Sequence, residues 1–301
     1  MKCFQLVCLA LLMSLMANAQ EIIGIKKVDK IEIPGYEGAF FPVLGNTGEW
    51  IAVRSYTKHG LRLFNIDTKE IREVCATDNF CENLVFSLDD SRLFYTAQLA
   101  NGSSKEVKVF EYDIEKMTIR VTEEATVSEL NWWKRMVMWW EDEESFQADA
   151  VRAGYLSYPF VTVVQGELVY AISEIEQQQL NPFDIQYYMF PSLSPDQKWI
   201  SAYAVGKGCF VYEIESGKTE IIDDLEAPVW MNEHVIIGMQ SQDDGQEIRS
   251  SSIVAVDITT GFRQVILSQD RFGSYPRYVQ GCNKIICHTP MGEVYLIHLD
   301  N

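Results

Sequence analysis

The feature that most constrains this chain is a short pattern that returns along it. Phe41-Pro42-Val43-Leu44 through Trp50-Ile51-Ala52 aligns without a gap on Phe190-Pro191-Ser192-Leu193 through Trp199-Ile200-Ser201: an aromatic and Pro, a polar turn, then Trp-Ile. A third copy runs from Tyr275-Pro276-Arg277-Tyr278 to Ile285-Ile286 in the same register. Weaker copies start at Leu84-Val85-Phe86 and at Ala227-Pro228-Val229-Trp230, and the poorest at Leu130-Asn131-Trp132-Trp133. Units that repeat at this spacing bury their apolar faces by stacking on one another, so the repeat decides the architecture before any single residue does.

Each copy leads into a second hairpin. Leu61-Arg62-Leu63-Phe64-Asn65-Ile66 alternates as a half-buried strand should, and turns at Asp67-Thr68-Lys69 into Ile71-Arg72-Glu73-Val74. The same grammar recurs at Val107 to Tyr112, Phe210 to Ile214 and Ile253 to Val256, with turns at Asp113, Ser216-Gly217 and Thr260-Gly261. Gly, Asp and Ser there supply the backbone angles and local hydrogen bonds of tight hairpins. No stretch sustains a helical period, Gln177 to Leu180 being the nearest. Four strands per unit, spaced 37 to 63 residues apart in six copies near positions 42, 84, 128, 191, 228 and 276, predict an all-β, six-bladed β-propeller. The last copy has three strands before Asn301, and Ile25 to Ile33 reads as the missing outer strand. Its return to the last blade would close the ring and leave no open edge within that blade.

The stretch Phe190 to Ile200 resembles the signature of TolB-like, WD-repeat-like propellers, in which Pro and Trp or Leu precede Ser-Pro-Asp-Gly-Lys and Ile. Ser194-Pro195-Asp196 and Lys198 match it, with Gln197 where the family has Gly. The resemblance covers most of residues 20–301 by spacing; only this copy shows Ser-Pro-Asp in full, and the unit built on Leu130 departs from the pattern. It implies an exported scaffold that binds other proteins, or a propeller module of the kind attached to peptidases; no hydrolase domain follows the last blade in this chain.

The N-terminus fits export. Lys2 is followed by an apolar run from Phe4 to Met16, and Ala17-Asn18-Ala19 offers small residues for cleavage before Gln20. Residues 1–19 are therefore read as a signal peptide and 20–301 as one propeller domain, periplasmic or secreted, with no membrane anchor. The remainder carries 24 basic and 43 acidic side chains, a formal charge of −19, which argues against nucleic acid as a partner. It contains Cys75, Cys81, Cys209, Cys282 and Cys287. Cys75 and Cys81 flank an expected inter-blade loop and can form a disulfide in an oxidising compartment or stay free. Cys209 and Cys287 fall in apolar strands and read as buried hydrophobes.

Strand order sorts the loops onto two faces. The turns after the first and third strands of each blade are short; the loops after the second strand and the crossovers to the next blade are long and variable, as at Ser55 to Gly60, Gln98 to Lys105, Glu141 to Ser157 and Gln240 to Ser250. Variable loops on a rigid scaffold concentrate binding residues. Tyr36, Glu37, Phe80, Glu82, Tyr187, Tyr188, Arg271 and Tyr275 are expected to ring the channel mouth on that face. In the third blade, assigned from Leu130 to an exit at Glu174 to Tyr187, four Trp fall within nine residues. They pack between blades, or Trp139 and Trp140 form an aromatic platform for a sugar or peptide. The acidic Glu141-Asp142-Glu143-Glu144 is a solvated loop or a site for a hard cation, though it lacks the alternating spacing of a calcium loop.

Catalytic signals are sparse. His59, His234, His288 and His298 show no zinc spacing, and neither a nucleophile elbow nor a phosphate loop occurs. Ser55 and Lys58 match a nucleophile spacing without a helix to align them. The expectation is a non-catalytic propeller, without cofactor, that engages a protein, peptide or glycan through the long-loop face. The rivals are a glycan or lactone hydrolase or lyase acting at the central channel, with a divalent cation, and a structural subunit of an envelope complex.

Overall fold

The computed structural model describes residues 22–121 and 158–300, apart from positions 35–37, 58, 88, 102–103, 165, 174, 186 and 245–247. β1 (Ile25–Ile31) comes first. β2 (Phe40–Leu44), β3 (Trp50–Arg54), β4 (His59–Asn65) and β5 (Ile71–Phe86) form an antiparallel meander. β5 continues into a second meander with β6 (Arg92–Asn101), β7 (Ser104–Asp113) and β8 (Thr118–Val121). Then come a sheet of β9 (Phe160–Val164), β10 (Glu167–Ala171) and β11 (Gln177–Leu180), and one of β12 (Tyr188–Leu193), β13 (Trp199–Ala204), β14 (Gly208–Glu213) and β15 (Thr219–Ile222). β16 (Glu226–Trp230), β17 (Val235–Asp243), β18 (Ile248–Asp257) and β19 (Arg263–Leu267) make the next. In the last sheet β20 (Ser274–Val279), β21 (Lys284–His288) and β22 (Val294–Leu299) are completed by β1.

The predicted closure is present. β1 pairs antiparallel with β22, with Lys30 opposite Tyr295 and Val28 opposite Ile297. The segment before β1 also grips the preceding sheet, where the Gln264 side chain accepts from the Ile22 and Ile23 N–H groups and donates to the Ile23 carbonyl. The N-terminal segment thus touches two blades at once. Sheets pack in sequence, β16 on β12 and β13, β20 on β16 and β17, and β2 on β20 and β21. Such stacking buries the second strand of a blade on both faces. Every residue of β3 is buried, as are the first five of β17, whereas β8 at an outer edge is exposed throughout.

The aromatic-Pro pair marks a bulge rather than plain strand. Phe41, Phe190, Ala227 and Tyr275 all have positive φ, between 47° and 53°, immediately before Pro42, Pro191, Pro228 and Pro276, and the pairing register shifts at each of these points. A bulged residue leaves the ladder, and Pro has no N–H to leave unpaired there. In the turn that follows, Gln197 adopts φ 62°, the conformation Gly48 holds in the first blade, so the family's Gly is replaced without loss of the turn. The Ser194 hydroxyl fixes that turn by accepting from the Lys198 and Trp199 N–H groups and donating to Asp196.

Four expectations are corrected. Residues 158–180 are not the outer half of a blade begun at Leu130, because β9 lies against β12 as an inner strand, with β10 and β11 outside it. The cue was Tyr158-Pro159, another aromatic-Pro pair, here joined by a cis peptide bond. The Leu130 copy itself lies outside the described residues. Gln177 to Leu180, nearest to helical in pattern, is strand β11 paired with β10, within what was read as an exit loop. The stretch between Cys75 and Cys81 is continuous β5 rather than a loop. Gln98 to Lys105 and Gln240 to Ser250 are largely the prolonged arms of the β6–β7 and β17–β18 hairpins.

Candidate binding site at the channel mouth

The inner strands β2, β9, β12, β16 and β20 each have a hydrogen-bonded neighbour on one side only, so their other edge is free; β5 is paired on both sides, with β4 and β6. The bulge sits near the end of the strand where the chain enters from the long-loop face. It places Phe41, Phe190 and Tyr275 at matching points of three blades, and Phe190 and Tyr275 are exposed there.

Between the last and first blades these side chains meet. The Tyr275 ring stacks on His288 at 5.7 Å, and Phe41 lies 5.1 Å from His288 and 6.0 Å from Tyr275. Phe40 touches His288 from another side and packs edge-on against the exposed Tyr56. The Arg54 guanidinium lies over Phe41, 5.6 Å from the ring centre, and donates to the Cys81 carbonyl at 2.8 Å, which ties the first blade to the second. His288 Nδ1 lies 3.0 Å from the Thr289 carbonyl and so carries the hydrogen; Nε2 is then a bare acceptor, buried without a partner among the described residues. Burial holds the His288 pKa below its ordinary range, and the positive charges of Arg277 and Arg54 add to the effect. Burial likewise pushes the Tyr275 hydroxyl up, with Glu226 and Tyr56 contributing.

One rung further along, the first paired residue after each bulge is Val43, Val85, Ser192, Val229 or Arg277. Arg277 is the single charge in that column.

The residues expected at the mouth are scattered more widely than topology suggested. Tyr275 is in the cluster just described. Tyr187 is exposed, with φ 131°, and its N–H donates to the Gly166 carbonyl. Tyr188 is buried in the core, where its hydroxyl donates to Asn181 Oδ1 at 2.9 Å, because neighbouring residues of a strand face opposite ways. Arg271 lies in a short 3-10 turn with its guanidinium over Tyr295, two strands away from the inner edge. Phe80 and Glu82 lie on the backbone of β5; their side chains, and Tyr36, Glu37, Trp139, Trp140 and the acidic run at 141–144, fall outside the described residues. Phe40, Phe41, Arg54, His288 and Arg277 were missed. The signal for Arg277 was available, since aligning the copies sets one Arg in a column of Val and Ser.

Cys75 and Cys81 are buried thiols, and a side-chain hydrogen bond with Cys75 together with burial drives the Cys81 pKa far up. Burial pushes the Cys209 and Cys287 thiols to about 12, as expected of inert core residues. Among the described residues, no three His, Cys, Asp or Glu side chains converge as a metal set.

No protein-family model matches the sequence, and no curated protein matches it. Among solved structures, a chain of the mitotic checkpoint complex is 13% identical with a TM-score of 0.54, covering 94% of this chain and 98% of that one. A putative TolB from Agrobacterium tumefaciens is 12% identical with a TM-score of 0.49, covering 88% and 91%. Oligogalacturonate lyase from Vibrio parahaemolyticus is 10% identical with a TM-score of 0.42, covering 89% and 80%. What the likeness establishes is fold. The chain is an all-β propeller, similar to TolB-like and WD-repeat propellers and closed by its own N-terminal strand.

Proposed function

We propose that the chain is an exported, non-catalytic binding propeller that engages a protein, peptide or glycan with its long-loop face. The observation that supports this reading is that Tyr275 and Phe190, at matching bulges of two inner strands, and Tyr187, just before one of them, are exposed large aromatics on a ring closed by β1. Large rings held on rigid strands give contact area at little entropic cost, the property expected of binding anchors. The prolonged β6–β7 and β17–β18 hairpins extend the same face. The leader at residues 1–19 supports export.

The test is capture from an envelope extract, with Tyr187→Ala and Tyr275→Ala as comparisons. The reading expects a discrete partner whose recovery falls in both variants while folding is unchanged. Unchanged recovery in both would refute the site. A stoichiometric, tightly held metal found by elemental analysis would favour the enzyme reading instead.

A further inference from the structure

The arginines of this acidic chain are mostly engaged. Arg54 donates to the Cys81 carbonyl, Arg72 binds Glu70, Arg120 binds Glu111 and Arg249 binds Asp244. Arg277 differs. Among the described residues it has no hydrogen bond and no ion pair. Burial alone perturbs it, lowering its pKa, so no described carboxylate lies close enough to act on it. Its side chain is nonetheless exposed. Arg277 thus combines a side chain open to solvent with surroundings dense enough to lower its pKa, and it stands on the inner strand of the last blade.

Its surroundings define what it can hold. Tyr275, two residues earlier on the same strand, offers an exposed ring backed by His288 and Phe41. The matching rungs after the described bulges of other blades are Val43, Val85, Ser192 and Val229, none of them charged; Val43 and Val229 pack against inter-blade cores. His288 feels the positive charges of both Arg277 and Arg54, and Tyr275 feels the negative charge of Glu226, so charges of both signs act on the cluster.

We infer that Arg277 receives the carboxylate of a ligand whose apolar or aromatic body lies against Tyr275. The inference deepens the binding reading above and rests on it. A planar guanidinium pairs with a carboxylate through two parallel hydrogen bonds, and the aromatic rings of Tyr275 and Phe41 beside it favour a small, singly charged, planar anion over a phosphate, whose greater charge is harder to strip of water. The carboxylate can belong to a free organic acid or to the C-terminus of a peptide, and both present the same group to Arg277.

The experiment uses the chain from residue 20 to residue 301, with 3-phenylpropanoate and its uncharged analogue 3-phenylpropanamide followed by NMR and calorimetry. The acid should bind saturably and roughly tenfold or more tightly than the amide. Arg277→Gln should abolish that preference while leaving the melting temperature unchanged or higher, since it removes an unpaired charge. Saturation with the acid should also raise the His288 pKa, because it neutralises a nearby positive charge. A peptide ending in a free Phe carboxylate, set against its C-terminal amide, separates the two sources: a preference seen only with the peptide assigns a chain terminus, and one seen with both assigns the carboxylate alone. Equal binding of acid and amide in both pairs, absence of binding by every probe at millimolar concentration, or a preference that survives Arg277→Gln would overturn the inference. Envelope capture that still depends on Tyr275 under those results would leave the binding reading standing.

Discussion

Gln264 is predicted to be the latch of the ring. Its amide makes three hydrogen bonds to the entering chain: Ile22 N–H at 2.7 Å, Ile23 N–H at 2.9 Å and the Ile23 carbonyl at 2.8 Å. They seat Ile23, which is 4% exposed, in a core shared by β17, β18, β19, β21 and β22, just before β1 joins β22. Gln264→Leu keeps the volume and removes all three. At about 1 kcal/mol net for each, with water able to replace part of a half-buried network, the loss is roughly 2–3 kcal/mol. For a chain of this size that lowers the melting temperature by about 4–8 °C. The loss should be local first, so opening of the N-terminal segment should become roughly 30- to 150-fold more populated. Trypsin cleavage at the exposed Lys26 and Lys27 under native conditions reads that opening directly. In combination with Ile23→Ala the two losses should be less than additive, since both act through one segment. A melting temperature within 1 °C of the parent together with unchanged cleavage at Lys26 and Lys27 would refute the latch.

Three further outcomes are expected. Asp90 is a buried carboxylate at φ 55° that reaches across to the first blade and accepts from the Asn46 N–H, the Thr47 N–H and hydroxyl, and the Asn46 amide. Asp90→Ala should cost about 3 kcal/mol in urea unfolding and Asp90→Asn, which tolerates the left-handed backbone, about half of that; equal losses would mean that the acceptor oxygens do not matter. His288 has its folded pKa depressed below 6.5 by burial and by Arg277 and Arg54, so between that lower value and 6.5 the unfolded chain binds more protons and stability falls as the pH falls. The stability difference between the parent and His288→Phe should shift against the parent on going from neutral to mildly acid pH, and a difference that is flat with pH would show that His288 does not titrate differently on folding. Thiol labelling of the native chain should modify Cys282, which is half-buried, well before Cys75, Cys81, Cys209 and Cys287, and a faster Cys75 or Cys81 would contradict their placement in the core.

The repeat was legible because its strongest signals are backbone requirements. Trp50, Trp199 and the apolar residues after them must fill a strand buried on both faces, and the Ser194-Pro195-Asp196 turn must satisfy its own N–H groups, so both leave marks in the sequence. The terminal strand was legible by counting, since an open edge in the last blade has no other remedy. The sheet of β9 to β11 was not, because Tyr158-Pro159 is followed by a short hairpin instead of the Ser-Asp turn, and Gln177 to Leu180 offers no apolar alternation. The site was harder still. Tyr187 and Tyr188 are indistinguishable as adjacent aromatics, yet one is exposed and the other buried, a choice set by the face each takes where β12 begins. Phe40 and Phe41 pose the same problem, and the bulge inserted between them and Val43 cannot be placed from a strict two-residue alternation.

That bulge also explains how a propeller of this kind can change its ligand without losing its fold. The second strands carry the packing between blades, and the ladder rungs belong to β3, β13, β17 and β21 as much as to the inner strands. After the bulge the inner strands carry Val43, Val85, Ser192, Val229 and Arg277; Val43 and Val229 are half-buried against inter-blade cores, whereas Val85 and Arg277 are exposed, so this position tolerates both surroundings. The pattern that defines the fold leaves this column free to vary, and the proposed carboxylate contact of Arg277 falls within it.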